Sequence, residues 1–151
     1  MKATLLLRKD HEKVQELFDR LQRGTPLRQS KIEVFEEIQR VLSLHCGADT
    51  EIFFSEMVDT GTSATTAALI EALTEDHRKI ERILEETAKV VDNDKLFESE
   101  MERLLETVRL HIQREEEDLF SEARRIFPEH RLEEIGLEIE QRRSFMQVMA
   151  A

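Results

Sequence analysis

The chain has 151 residues, of which 40% are hydrophobic and 36% are charged, and its formal net charge is −11. This length allows one domain with a substantial core, whereas the negative charge argues against nucleic acid and anionic membrane surfaces as partners. No apolar run approaches the ~20 residues that cross a bilayer. With only four glycines and two prolines, the composition favours an all-α protein.

The first two predicted helices form a hairpin, and each carries a histidine on its apolar face. Helix one begins before Lys9 and ends at Arg23, where the Gly-Thr-Pro sequence at 24–26 breaks it. Helix two spans about Ser30 to Met57. Steps of three and four residues are typical of the buried face of a bundle helix. They connect Leu7, His11, Val14, Phe18 and Leu21 in helix one, and Phe35, Ile38, Leu42, His45, Asp49 and Ile52 in helix two.

Two further helices repeat this arrangement after a loop at residues 59–63. Helix three spans about Ala64 to Val91, and a turn at residues 92–94 leads into helix four, which runs from Leu96 to about Ile126. Their apolar faces contain Ile70, Leu73, His77, Ile80, Leu84 and Val91, and Met101, Leu104, Val108, His111 and Glu115. Pro128 ends helix four.

The remaining residues form an amphipathic tail. We therefore divide the chain into a four-helix domain at residues 1–127 and a C-terminal helical tail at 128–151. The tail is predicted to form a short fifth helix that either caps the bundle or meets a partner, and a homodimer through the tail is one expectation.

The two halves of the chain repeat at a fixed offset of 66 residues. The offset relates His11 to His77, His45 to His111 and Asp49 to Glu115 without a gap, and it also relates Asp10 to Asp76 and Phe54 to Phe120. Four helices with short turns predict an up-down-up-down bundle built from a duplicated helical hairpin. In such a bundle His11 and His45 both lie roughly 22–28 Å from the first turn, at ~1.5 Å per residue, and the repeat brings all four histidines to one layer.

These histidines and carboxylates occupy positions where a bundle normally has leucine. Burial of such groups without partners costs several kcal/mol, and a metal ion removes this cost because it uses their lone pairs. The candidate ligands are His11, His45, Asp49, His77, His111 and Glu115. Two metals could each take two imidazoles, with the carboxylates bridging between them. Mixed imidazole and carboxylate ligation is typical of iron, manganese or zinc and not of calcium or magnesium.

Several other polar residues are weaker candidates for the metal site, or have a role that the sequence leaves undecided. His130 lies outside the repeat and is expected at the surface, and Cys46 is expected to pack rather than to bind metal. Asp118, seven residues after His111, is a secondary ligand candidate. Asp10 and Asp76 either orient neighbouring histidines or cap helices, and the sequence does not choose between these roles.

Over residues 5–127 the chain resembles the hemerythrin-like cation-binding family, the HHE domains. The resemblance rests on four motifs: Asp10-His11, His45-x-x-x-Asp49, Asp76-His77, and His111-x-x-x-Glu115-Glu-x-x-x-Phe120. It implies a non-haem di-iron centre, two iron ions with an oxo or hydroxo bridge, in preference to manganese or zinc. It also implies small ligands such as oxygen, nitric oxide or peroxide.

The chain departs from the family pattern at two positions. The helix-two carboxylate is usually glutamate, whereas Asp49 is one methylene shorter and is expected either to bridge less symmetrically or to bind one metal only. Oxygen carriers of the family have a second histidine four residues after His77, where this chain has Glu81. Glu81 either reaches the metal or lines the approach to it.

The sequence supports two hypotheses of function, and a third hypothesis explains fewer of its features. The first is a non-catalytic di-iron protein that senses, binds or stores iron, oxygen or nitric oxide. The second is a di-iron enzyme, such as an oxidase, a peroxidase, a nitric oxide reductase or a factor that repairs iron-sulfur centres. A purely structural helical protein leaves the buried polar groups unexplained. The single cysteine and the short apolar start favour a cytoplasmic protein without a signal peptide.

Overall fold

The computed structural model describes residues 1–24 and 28–150, and every regular element in those ranges is helical. The α-helices are α1 (Ala3–Gln22), α2 (Arg28–Ala48), α3 (Phe54–Thr60), α4 (Ala64–Ala88), α5 (Asp94–Arg114), α6 (Phe120–Ile126) and α7 (Glu129–Ala150). Two π-helical turns, π1 (Asp49–Phe53) and π2 (Glu115–Leu119), join α2 to α3 and α5 to α6. The predicted all-α helical bundle is confirmed. Thr25 and Pro26, which were predicted to break helix one, lie outside the described residues.

Side-chain caps define the starts of the two helices of the second hairpin. The Ser63 hydroxyl accepts a hydrogen bond from the Thr66 backbone N–H at 3.2 Å, and the Asn93 side-chain oxygen accepts one from the Leu96 N–H at 3.1 Å. Each bond satisfies an N–H that has no partner within its helix. α4 ends at Ala88, three residues before the predicted Val91, because residues 89–92 form a turn.

The two π-helical turns lie at equivalent positions of the sequence repeat. Each begins at a candidate ligand: the Phe54 N–H donates to the Asp49 carbonyl, and the Phe120 N–H donates to the Glu115 carbonyl. These bonds span five residues instead of four, so each turn contains one extra residue. As a result Phe53 is fully buried while Ile52, which the periodicity assigned to the buried face, is only partly buried. Neither turn was predicted from the sequence.

The hydrophobic core consists of two clusters separated by a polar layer. The turn-side cluster contains Val14, Leu17, Phe18, Val34, Phe35, Ile38, Val41, Leu42, Ile80, Ile83, Leu84, Phe97, Met101, Leu104, Leu105, Val108 and Ile112. The terminus-side cluster contains Ala3, Leu7, Ala48, Phe53, Phe54, Met57, Ile70, Leu73, Leu119, Phe120, Ala123, Phe127, Leu132, Ile135 and Ile139. The buried residues pass from one cluster to the other near the histidine in each of the four helices that carry one, which are α1, α2, α4 and α5. The histidines therefore share one layer, as an antiparallel arrangement of successive rods requires.

The C-terminal helix, at 22 residues, is as long as the bundle helices and contacts the bundle from its first turns as far as Arg143. Leu132, Ile135 and Ile139 are buried in the terminus-side cluster, and α7 contacts α1, α2 and π1. Gly136 lies against the Met1 carbonyl oxygen, which a Cβ at position 136 would approach within 1.9 Å. The close approach of the N-terminal chain thus requires glycine here. The division of the chain at residues 127 and 128 stays a prediction. None of the described helices is long and apolar enough to span a membrane.

Candidate metal centre

The structure brings all six predicted site residues into the polar layer between the two clusters. Asp49 and Glu115 are fully buried, and the four histidines are at most 3% exposed. Five of the six each offer a potential ligand atom, and these atoms lie within 4.8 Å of one another: His45, Asp49, His77, His111 and Glu115. The sixth residue, His11, is adjacent, with its Nε2 atom 3.2 Å from His45 Nε2. Their role as ligands stays a prediction.

The histidines form two close pairs, one in each hairpin. The ring centroids of His11 and His45 are 4.6 Å apart and those of His77 and His111 are 4.8 Å apart. Across the hairpins, the measured centroid separations range from 5.6 to 6.3 Å. This arrangement offers one pair of imidazoles to each of two metals.

Each carboxylate reaches histidines of both pairs. Asp49 Oδ2 lies 3.1 Å from His45 Nε2 and 3.2 Å from His77 Nε2. Glu115 Oε2 lies 2.8 Å from His111 Nε2 and 3.7 Å from His45 Nε2. The shorter side chain of Asp49 therefore does not prevent it from lying between the two pairs.

Phenylalanine rings fix the orientation of one histidine in each pair. Phe120 stacks on His11 with an interplanar angle of 7°, and Phe54 stacks on His77 with an angle of 10°. The two phenylalanines are related by the repeat, and each stacks on a histidine of the other hairpin. The π-helical turns place these rings, because Phe54 and Phe120 are the residues that directly follow them.

The buried polar atoms of this layer fit a cation. The oxygens of Asp49 and Glu115 lie close to histidine nitrogens, but within the described residues none of them, nor His77 Nε2, has a partner in a hydrogen bond of normal geometry. Such groups normally have partners when they are buried, because their desolvation costs free energy. A metal ion accepts lone pairs from all of them, and imidazole with carboxylate is a donor set that suits iron.

The Nδ1 atoms of His11 and His45 point away from the other histidines, and their carboxylate partners indicate where each ring is protonated. His45 Nδ1 lies 3.0 Å from Asp10 Oδ2, and His11 Nδ1 lies 2.7 Å from Glu116 Oε2. Because a carboxylate only accepts, each Nδ1 carries the proton and donates it. In the neutral rings both Nε2 atoms then present lone pairs to each other at 3.2 Å. Such a contact needs a cation between the nitrogens, either a proton or a metal.

The negative charge of the layer shifts the protonation of its members in the metal-free protein. Burial opposes the charged form of His45, but Asp49 and Glu115 outweigh it and hold the pKa of His45 well above its usual value. Burial likewise opposes protonation of His111, and Glu115 outweighs it and raises the pKa of His111 to about 10. Burial would raise the pKa of Asp49, but the neighbouring His45 and His111 hold it well below its usual value. Protons thus substitute for the missing positive charge, and metal binding must release them.

The structure resolves the open roles of Asp10 and Asp76. Each contacts a histidine on the partner helix of its own hairpin and not the histidine that follows it in sequence. Asp10 accepts from His45, and Asp76 Oδ2 lies 3.6 Å from His111 Nδ1, which is beyond hydrogen-bond distance. Carboxylates behind a ligating imidazole fix its tautomer and its orientation.

Two supporting residues were missed by the sequence analysis. Glu116 contacts His11, and Thr50 Oγ1 lies 3.0 Å from His77 Nδ1. The 66-residue offset relates Thr50 to Glu116, so the repeat contained a signal for them. It was not found because Glu116 does not fall on the three- and four-residue spacing of the buried face, and threonine at an equivalent position does not resemble glutamate.

The remaining candidates lie outside the layer. Asp118 and His130 are exposed, because π2 rotates Asp118 away from the core. Cys46 is buried, and burial raises the pKa of its thiol to about 12, which agrees with a packing role. Glu81 is exposed and lines a cleft of about 440 Å³ together with Thr50. Glu81 was predicted either to reach the metal or to line the approach to it, and its exposed position favours the second role.

Comparison with known protein families gives a match over most of the chain. A family model described as the hemerythrin HHE cation binding domain matches residues 3–123, which include all six candidate ligands. Neither the curated proteins nor the solved structures contain a match to the chain.

Proposed function

The chain belongs to the hemerythrin HHE cation-binding domain family, and we propose that its buried layer holds a non-haem centre of two iron ions with an oxo or hydroxo bridge. The observation that carries this proposal is the set of six buried ligand-type groups between two hydrophobic clusters, with carboxylate oxygens that lack any other described partner. Imidazole and carboxylate ligands make iron the first choice, ahead of manganese or zinc.

The proposed ligand assignment follows the pairing of the rings. His11 and His45 would hold one ion, His77 and His111 would hold the other, and Asp49 and Glu115 would be shared between the two. The contacts of each carboxylate with histidines of both pairs support the bridging role. Four imidazoles and two shared carboxylates would leave room for small ligands on the two ions.

When bound, the irons supply redox chemistry and open positions for small ligands such as oxygen, nitric oxide or peroxide. The chain supplies the orientation and the exclusion of water. Asp10 and Glu116 fix the tautomers of His45 and His11, and the stacked rings of Phe54 and Phe120 restrict rotation of His77 and His11. Burial opposes ionisation of Asp49, but the surrounding histidines outweigh it and hold the pKa of its carboxyl below the ordinary value, so it stays ionised.

The proposed role is to sense, bind or store iron or a diatomic ligand, without catalysis. The alternative is a di-iron enzyme that acts as an oxidase, a peroxidase, a nitric oxide reductase or a repair factor for iron-sulfur centres. The binding role is favoured by the enclosure of the layer, since all six groups are at most 3% exposed and a larger substrate has no contact with them. Turnover with a reductant plus oxygen or nitric oxide would favour the enzyme.

The first experiment is metal analysis of protein loaded with iron under anaerobic conditions. We expect two irons per chain, with charge-transfer absorption in the near ultraviolet after oxidation. The chain has no tryptophan and no tyrosine, so these bands stand out against a low protein background. A stoichiometry near zero would exclude the di-iron centre, and a value of one would exclude the paired assignment.

A cytoplasmic location and a homodimer through the tail are also part of the proposal. The end of α7 exposes Phe145, Val148 and Met149, which are 66%, 73% and 70% exposed. Apolar side chains clustered at a helix end favour contact with another surface. Sedimentation of the full chain, and of a variant with Phe145→Ser and Met149→Ser, tests the dimer. Equal masses at the monomer value would exclude it.

A further inference from the structure

The carboxylates behind His45 and His111 each pair with an arginine, but the two arginines come from different places. In the C-terminal hairpin, Arg114 Nη1 lies 3.3 and 3.4 Å from the two oxygens of Asp76. Arg114 lies on the same bundle helix as His111. Its equivalent in the N-terminal hairpin, 66 residues earlier, is Ala48, which is fully buried and has no charge. The N-terminal hairpin therefore lacks its own arginine at this position.

The tail helix supplies the missing charge. Arg143 of α7 donates to both oxygens of Asp10, with Nη1 3.1 Å from Oδ1 and Nη2 2.5 Å from Oδ2. Asp10 Oδ2 in turn accepts from His45 Nδ1 at 3.0 Å. The side chains of Arg143 and Asp10 are 19% and 14% exposed, so water screens this pair only in part. A continuous chain of contacts thus runs from α7 to a candidate ligand.

The position of α7 is matched to this contact. Arg142, the preceding residue, crosses Gly47 so closely that a Cβ there would lie 2.5 Å from Arg142 Nη2. Arg142 Nε also donates to Glu51 Oε2 at 2.7 Å. Gly47 is the small residue that lets Arg142 of the tail helix lie against α2 beside His45. The sequence of α2 is therefore adapted to the presence of α7.

We propose that Arg143 is a positioning residue of the N-terminal half of the metal centre, and that α7 completes the support of His45 through Asp10. Two parallel hydrogen bonds from a guanidinium hold a carboxylate in one orientation, and an oriented carboxylate fixes the imidazole that donates to it. Because coupling is reciprocal, a metal bound through His45 stabilises the docked position of α7. This inference rests on the proposed metal centre.

The test compares release of iron to a chelator from Arg143→Gln, Arg142→Gln and the unaltered protein. Arg142→Gln is the matched control, since it removes the neighbouring guanidinium of α7 and its ion pair to Glu51 of π1, but Arg142 has no hydrogen bond to Asp10. We expect Arg143→Gln to release one of the two irons roughly 10-fold faster, the lower end of the effect of outer-shell changes. Arg142→Gln is expected to release both at the normal rate, and Arg143→Lys to recover part of the loss.

A spectroscopic measurement separates positioning from general destabilisation. In Mössbauer spectra of the fully loaded proteins, Arg143→Gln should change the signal of one iron, and Arg114→Gln should change the signal of the other. Equal release rates for Arg143→Gln and Arg142→Gln, with unchanged spectra, would overturn the inference. If the unaltered protein bound no iron, the proposed centre itself would fail instead.

Hydrogen exchange provides an independent readout of the reciprocal effect. Amides of α7 near Arg143 should exchange more slowly in the iron-loaded protein than in the metal-free protein. This difference should shrink in Arg143→Gln and persist in Arg142→Gln. Exchange in α7 that does not respond to iron in the unaltered protein would contradict a role for the tail in the centre.

Discussion

His11 and His77 are equivalent residues of the two hairpins, yet their outer nitrogens contact groups of different charge. Glu116 lies behind His11 and itself pairs with Arg8 at 3.2 Å, whereas the uncharged Thr50 lies behind His77. The second histidines differ as well, because Asp10 is hydrogen-bonded to His45 while Asp76 stays 3.6 Å from His111. The two hairpins therefore have matching histidines and inner carboxylates but differ in the residues that contact the Nδ1 atoms of those histidines.

Because of this difference, the two histidine pairs should differ in how strongly they donate electron density to a bound metal. A carboxylate that accepts from an imidazole increases the electron density on the nitrogen that faces the metal. His11 and His45 both have such a carboxylate at hydrogen-bond distance from Nδ1, whereas the Nδ1 atom of His77 contacts the neutral hydroxyl of Thr50. The N-terminal pair should therefore favour the more oxidised, more strongly bound ion. The proposed centre would thus be symmetric in its candidate ligands but unequal in the groups that support them.

The largest effect is expected from removal of the inner groups. Glu115→Ala should lose both irons, because Glu115 contacts histidines of both pairs, whereas His111→Ala should lose at least the iron of its own pair. His130→Ala is the control, since His130 is exposed and distant from the layer. Iron per chain after gel filtration measures all three. Full retention of iron by Glu115→Ala would contradict the assignment of the layer as the centre.

Metal removal tests whether the layer as a whole depends on a cation. We expect chelation to lower the free energy of unfolding by several kcal/mol, as measured by denaturant titration. Equal stabilities with and without metal would show that the layer is satisfied without one.

The pH dependence of the metal-free protein follows from the pKa shifts. The raised pKa of His111, about 10, contributes stability that is complete below the ordinary value of 6.5 and is lost as the pH rises through about 10. The lowered pKa of Asp49 contributes stability above its ordinary value of 3.8 that is lost on further acidification. Metal-free protein should thus be less stable at pH 9 than at pH 6, and the loaded protein should change less. A metal-free protein with equal stability at both values would contradict the shifts.

The two supporting carboxylates provide a sharper comparison of the halves. Asp10→Asn and Asp76→Asn should each weaken metal binding, by roughly 10- to 100-fold for an outer-shell group. Asp10→Asn should have the larger effect, because only Asp10 is at hydrogen-bond distance from its histidine. Competition with a chelator of known affinity measures both. A larger effect from Asp76→Asn would reverse the proposed order of the two halves.

The smallest effect is expected at the positions that differ most between the hairpins. Glu116→Gln removes the charge behind His11 and should raise the reduction potential of the centre. Thr50→Val removes only a neutral hydroxyl and should change the potential less. Potentiometric titration of the two variants beside the unaltered protein decides this order. Equal shifts would show that the charge of Glu116 does not reach the centre.

The sequence by itself determined that the chain is helical and that the candidate ligands lie in one layer of the bundle. Leu104, Val108, His111 and Glu115 lie three and four residues apart, and such spacing places them on one face whatever the neighbouring helices do. The offset of 66 residues carried the same argument to the other hairpin. All six candidate ligands were identified in this way, because the spacing of their helical face and the helix rise are local properties of the chain.

Only the tertiary structure decided which groups support those histidines. Asp10 contacts His45 on the next helix instead of its neighbour His11, and Arg143 reaches Asp10 from 133 residues away in the chain. Such contacts depend on how far each helix is rotated and shifted against the next, and the π-helical turns at Asp49 and Glu115 alter that rotation. Apolar spacing along one helix specifies its buried face but contains no information on these relations, since many packings bury the same face.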